Sequence, residues 1–383
     1  MKRRMKVATL AGAGAAIAAL CFPVAAGAET STGAGAASPT TAAPVFVQTN
    51  DATGNQIVSY VPTARGGLRE VERINTGGIG IALQGAAVDD LASQGSLAFD
   101  AADGVLVGVN AGSNTISEFH TFGSFVGFRK VAASGGTIPV SVAVRGNRIY
   151  VLNAGGTGSV QGFYAASLKP IPGSNQSLGL TPGATPQFLN TPGQIGFSPS
   201  GSQLVVTTKA NGSDIDVFNV AANGSLSAPT VNASATPVPF GFTFDAAGDL
   251  VVTEAGTSAV TTYSLSTSGT VTELGSVTDG LAALCWVANA GNRFFYGSNA
   301  GSATVTTYTV GATGVPTEVG STATDAGPID LATSPSGRSL YVETGGSDLV
   351  DTYAILPTGS LVFTGSVAPE LTGHTGLEGI AVG

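Results

Sequence analysis

GFTFDAAGDLVVTEAGTSAVTTYSLSTSGTVTELGSV, at residues 241–277, holds four short apolar runs separated by turns rich in Gly, Ser, Thr and Ala. GFTF leads into DAAG, LVVTE into AGTS, the alternating AVTTYSL into STSG, and VTELGSV closes the stretch. Short runs with period-two alternation and glycine punctuation are strand and hairpin signals. Four antiparallel strands within about 40–50 residues make one blade of a β-propeller.

The unit recurs along the chain. Its second strand ends on a small or polar residue at Asn50, Asn110, Asn153, Thr208, Glu254, Asn299 and Thr344, with spacings of 60, 43, 55, 46, 45 and 45 residues. Seven copies predict an all-β, seven-bladed β-propeller of four-stranded blades, against the two domains that a length of 383 residues would suggest. Nothing before Pro44 resembles GFTF, whereas the chain finishes with GLEGIAVG at 376–383, which does. Gly379–Val382 is therefore expected to pair with the 45–50 strand, so that one blade combines 44–78 with 376–383. The other blades are expected at 95–136, 139–178, 192–235, 239–280, 282–325 and 328–369. A β-helix or a sandwich accounts less well for a first strand displaced to the far end of the chain. Longer connections at 79–94 and 174–191 lie between a fourth strand and the next first strand. Both are expected on the face where extended loops wall the channel mouth.

Charged residues make up 10% of the chain, apolar residues 43%, and glycine 55 positions. This excludes a disordered chain and a coiled coil. The net charge of −9 argues against a nucleic-acid partner. Lys2, Arg3, Arg4 and Lys6 precede an apolar stretch from Val7 to Ala26, and Ala26-Gly27-Ala28 fits a small-x-small cleavage site. Residues 1–28 thus read as a signal peptide and 29–43 as a flexible linker, which places the mature protein outside the cytoplasm or in the medium. A retained anchor is disfavoured by Pro23, and a lipoprotein site at Cys21 by the preceding Leu20. Removing the signal takes four of the fifteen basic residues, leaving eleven against twenty-four acidic, a net −13. Only Cys285 then remains, so an internal disulfide is impossible and the fold must rest on its core.

The segments VGVNAGSNTISEF (107–119), IYVLNAGGTGSV (149–160) and GSNAGSATVTTY (297–308) resemble the Tyr-Val-x-Asn-type propeller repeat. The turns in FSPSGSQLVV and SPSGRSLYV are similar to the turn of that repeat. Residues 44–383 together resemble the seven-bladed lactonase family, which includes propeller-type 6-phosphogluconolactonases and carboxymuconate-lactonizing enzymes. The resemblance implies His and Arg before first strands and an acid after a second strand. Here the corresponding segments read TIPVSV (137–142) and TPGQIGF (191–197), with neither His nor Arg. Glu254 matches the acidic position. His120 ends a third strand and reads as a solvated residue of the far face, whereas His374 precedes the closing strand and is a ligand-binding candidate.

Two rings of positions face the channel on this reading. One, ahead of each first strand's leading apolar residue, comprises Ser96, Ser141, Gln194, Gly241, Cys285, Asp330 and Gly379. The other is the set of second-strand ends. Glu254 and Asp330 are the catalytic candidates, as carboxylates able to do acid–base work across a narrow channel. Gln194, Asn110, Asn153, Asn299 and Cys285 join His374 as ligand-binding candidates, although an Asn at a strand end commonly caps backbone groups. Trp286 reads as core between blades. No cofactor is expected; Ca²⁺ in the channel is the one metal the carboxylates suggest, with backbone carbonyls completing its shell.

The function expected is an exported binding module for a small neutral ligand, a carbohydrate or an envelope protein. It would be a monomer that meets the membrane only during export, with the family's His/Arg catalytic set missing. The alternatives are an active lactone hydrolase or lactonizing enzyme working through channel carboxylates, and a purely structural scaffold.

Overall fold

A computed structural model describes residues 43–371 and 376–383. The expected signal peptide, the linker up to residue 42, and His374 lie outside the described residues.

Seven antiparallel sheets form a closed ring. Blade 1 joins β29 (Leu377–Val382) to β1 (Val45–Thr49), β2 (Gln56–Pro62) and β3 (Leu68–Asn75). Blade 2 comprises β4 (Leu97–Asp100), β5 (Val105–Asn110), β6 (Thr115–Phe122) and β7 (Phe125–Ala133). Blade 3 has β8 (Pro139–Arg145), β9 (Arg148–Asn153) and β10 (Ser159–Tyr164), with two fragments, β11 (Lys169–Pro170) and β12 (Gln176–Ser177), on its outer edge. Blade 4 holds β13 (Gln194–Phe197), β14 (Gln203–Thr207), β15 (Asp214–Asn219) and β16 (Thr230–Ala233). Blade 5 holds β17 (Pro239–Phe244), β18 (Leu250–Glu254), β19 (Ala259–Leu265) and β20 (Val271–Thr278). Blade 6 holds β21 (Leu284–Ala290), β22 (Phe294–Asn299), β23 (Thr304–Val310) and β24 (Pro316–Ala323). Blade 7 holds β25 (Pro328–Thr333), β26 (Ser339–Thr344), β27 (Leu349–Ile355) and β28 (Leu361–Val367). The single helical turn among the described residues, Gln187–Asn190, belongs to the second long connection.

The first strand of each blade is innermost. β4 packs on β8, β8 on β13, β13 on β17, β17 on β21, β21 on β25, β25 on β29, and β29 back on β4. Closure follows the expected register, with Val45 opposite Val382, Phe46 opposite Ala381 and Val47 opposite Ile380. A bulge then sets Gly379 against Gln48 and Leu377 against Thr49. The split outer edge of blade 3 shows that its insertion begins inside the fourth-strand region, since Gln176 and Ser177 still pair with β10.

The core lies between blades. Val45, Val58 and Leu377 pack on Tyr341 and Val350 of blade 7, while Phe46 and Ile57 pack on Leu106 and Phe119 of blade 2. β1, β5 and β22 are buried along their whole length. A fully buried Val, Leu, Ile or Phe stabilises by about 1.5–3 kcal/mol, and a charge at such a position would lack solvation. This accounts for the scarcity of charge. Tyrosine hydroxyls bridge blades where apolar contact ends: Tyr150 Oη donates to Gly224 O at 2.7 Å and Tyr296 Oη to Gly359 O at 2.9 Å.

Candidate functional site

The two long connections meet at one mouth of the ring. Gln84 N donates to Gln187 Oε1 at 3.0 Å, and Gly85 packs against Phe188 and Pro186. From there the first connection turns inward, and residues 91–95 bond to the inner strands around the ring. Leu91 N donates to the Glu378 carboxyl of blade 1 at 3.2 Å. Ser93 Oγ donates to Val140 O, and Ser141 Oγ to Gln94 O, both at 2.7 Å, in blade 3. Gln94 N donates to Gly193 O, ahead of blade 4, at 3.0 Å. The Gln94 side-chain amide pairs with Val287 O and N of blade 6 at 2.8 and 3.1 Å, and Trp286 Nε1 donates to Ser93 O at 2.8 Å. Gly95 N donates to Asp330 Oδ2 of blade 7 at 3.1 Å. In blade 5 the contact is steric: a Cβ on Gly241 would lie 2.1 Å from Gln94 Oε1, so only glycine fits there. A segment tied to every other blade of the ring sits on its axis, and residues 91–95 therefore close the channel.

Buried ionisable groups surround this plug. Asp89, Lys209, Asp330, Glu343 and Glu378 are each at most 5% exposed. Asp89 accepts from the amides of Ala92, Leu91 and Ser93 at 2.6, 3.0 and 3.1 Å. Burial lifts its pKa to about 6, while a hydrogen bond with Glu378, the Lys209 charge and these amides hold it down. Glu378 is pushed well up by burial and by the Asp89 charge, so it carries the proton the two share. Burial raises Asp330 to about 7 against amides from Gly95 and Leu331. Glu343 is raised well above the usual range by burial and the neighbouring acids, opposed by the Gly379 amide, and neither of its buried oxygens makes a full hydrogen bond. Burial lowers Lys209 to about 7, opposed by Asp89. Its Nζ donates to Ala92 O, Phe188 O and Thr191 Oγ1 and lies 5.1 Å from the Phe240 ring centre. Two carbonyls and a hydroxyl accept from the Nζ, which favours its charged form against burial.

Beside the plug, a half-open cavity of about 290 Å³ is walled by Val88, Asp89, Phe188, Phe240, Cys285 and Trp286, with small residues between them. Phe240 meets Trp286 edge to face at 5.0 Å. The Cys285 thiol is pushed up to about 12 by burial, which makes it an apolar wall and not a nucleophile.

Glu254 and Asp330, expected to work together across the channel, are held by separate sets of partners. Glu254 ends β18 and accepts from Tyr263 Oη, from Ser234 Oγ at 2.8 Å and from Thr236 Oγ1 at 2.8 Å; it shares no partner with Asp330. The same tyrosine–carboxylate lock joins Tyr308 to Asp279 at 2.9 Å and Tyr353 to Asp351 at 3.2 Å. Asn110 is enclosed by Asn55, Thr76, Thr115 and Ser117. Asn153 and Asn299 donate to Ser134 O at 3.3 Å and Thr306 Oγ1 at 2.9 Å. Gln194 Oε1 accepts from Phe242 N at 2.6 Å. These side chains are hydrogen-bonded within the frame, and of the described candidates Asp330 and Cys285 lie beside the plug. Trp286, expected between blades, also lines it. His120 pairs with Glu118 at 3.4 Å within β6. Among the described residues no three His, Cys, Asp or Glu side chains are placed to hold a metal ion.

No protein-family model and no curated protein matches the sequence. Solved structures do match. A candidate 6-phosphogluconolactonase from Bacteroides fragilis superposes with a TM-score of 0.71 at 17% identity, over 90% of this chain and 99% of that one. The periplasmic gluconolactonase of Pseudomonas aeruginosa gives 0.68 at 18% identity, over 89% and 98%. A Lactobacillus plantarum protein gives 0.67 at 20%, over 89% and 99%. The chain is thus a seven-bladed propeller with the fold of the 6-phosphogluconolactonase-like proteins.

Proposed function

We propose that this protein is an exported binding module built on the lactonase-type propeller, not a sugar-phosphate lactonase. The observation that carries the reading is the plug: residues 91–95 fill the channel, and the groups behind them are carboxyls. A phosphorylated sugar acid needs cationic donors at its phosphate. The one cation at the plug among the described residues, Lys209, is spent on Ala92, Phe188 and Thr191. An extracytoplasmic address rests on the leader-like sequence of residues 1–28 and on the periplasmic location in the name of the Pseudomonas relative. Initial-rate hydrolysis of 6-phosphogluconolactone and gluconolactone by the purified mature chain tests the reading. Rates equal to spontaneous hydrolysis are expected, and saturable turnover would overturn it.

A further inference from the structure

We infer that the cavity beside the plug is the ligand site, and that its ligand is a small, uncharged, ring-bearing apolar molecule. This rests on the binding-module reading. Three aromatic rings from three places in the chain converge on it: Phe188 from the second long connection, Phe240 from β17 and Trp286 from β21. Val88 and the protonated Cys285 thiol complete the apolar wall. Flat aromatic walls gain most from a ligand that is itself a ring.

The polar groups at the rim are already satisfied by the protein. Asp89 accepts three backbone amides and shares a proton with Glu378, and the Trp286 indole N–H is held by Ser93 O. Lys209, on the Phe240 ring, has three oxygen partners. A charged ligand would shed water and find no free counter-charge. The volume of about 290 Å³, open on one side, suits a ligand of up to three rings.

Trp286 is the sole tryptophan of the chain, so the site carries its own reporter. N-phenyl-1-naphthylamine and 1-anilinonaphthalene-8-sulfonate share a skeleton and differ in charge. The neutral probe is expected to give saturable emission on exciting Trp286, and the sulfonate to bind about tenfold more weakly or worse. Ala300 is one of the small residues of the cavity wall; Ala300→Phe fills the cavity and should abolish neutral-probe binding. Trp286→Phe should keep binding under direct excitation while losing the sensitised emission. Equal binding of both probes, no binding of the neutral probe, or sensitised emission unchanged in Ala300→Phe would overturn the inference. Lactone hydrolysis measured on the same preparation keeps the two readings apart. Turnover defeats the binding-module reading, whereas absence of both turnover and probe binding defeats only this one.

Discussion

Glu343 stands where the other blades carry Thr49, Val109, Leu152, Thr207, Thr253 and Ser298. In blades 4 and 5 that residue is useful: Thr207 Oγ1 donates to Phe240 O, and Thr253 Oγ1 to Cys285 O, tying one blade to the next. Glu343 makes no such bond and is fully buried. Its folded pKa lies above the unfolded value of about 4.3, so the folded chain keeps a proton that the unfolded chain releases. Stability from this group is full below about pH 4 and falls as pH rises towards the folded pKa. Glu343→Leu, which copies Leu152, should therefore stabilise the protein by about 1–3 kcal/mol at pH 7.5, with the gain shrinking towards pH 4.5. Urea unfolding at the two pH values measures this, and a destabilised variant at pH 7.5 would show that Glu343 has a partner. Glu254 is the contrasting acid. It too is buried at a strand end, but three hydroxyls satisfy it, so the sequence feature that suggested catalysis marks a joint between blades.

At the scale of elements, the strands and their closure were legible because each obeys a local rule. Apolar alternation gives the face, and Gly or Asn at the turns gives the hairpin. The ring of channel-facing residues was legible only in part, because inner-strand bulges shift the register. In β29 the bulge at Gln48 and Thr49 turns Glu378 into the channel, where simple alternation places Gly379. Similar shifts interrupt β8, β17, β21 and β25. Lys209 carries no sequence signal, because a lysine just past a strand end reads as a solvated turn; its burial depends on a loop 117 positions earlier in the chain, which no local pattern reports. Asp89 likewise looks like loop drift until its amide nest forms. Closure itself predicts a large effect. Removing residues 377–383 exposes β1 and deletes Leu377, Ile380 and Glu378, and should lower the melting temperature by about 10 °C or more. A thermal melt within 2–3 °C of the full chain, a shift of about 1 kcal/mol at most, would show that the ring does not need this strand.

For the whole molecule, the two notable properties of the sequence, few charges and a missing His/Arg set, have one physical origin and one consequence. Buried strands exclude most charge from the blades; of the acids that remain inside, Asp89, Asp330, Glu343 and Glu378 gather around the plug, while others such as Glu118, Glu254 and Asp351 are held within or between blades. There burial raises the pKa of each of the four acids at the plug and lowers that of Lys209 beside them. A propeller normally offers its axis to a ligand. In this one the axis is filled by its own chain, and the free space lies to one side against Phe240 and Trp286. Whether the channel is closed in solution decides the matter, and amide hydrogen exchange across residues 89–95, followed by mass spectrometry, reads it directly. Residues bonded to this many blades should exchange as slowly as the buried strand β5. Exchange at the rate of the exposed turn at 101–104 would contradict the plug, and with it the account of this propeller as a closed-channel binding module.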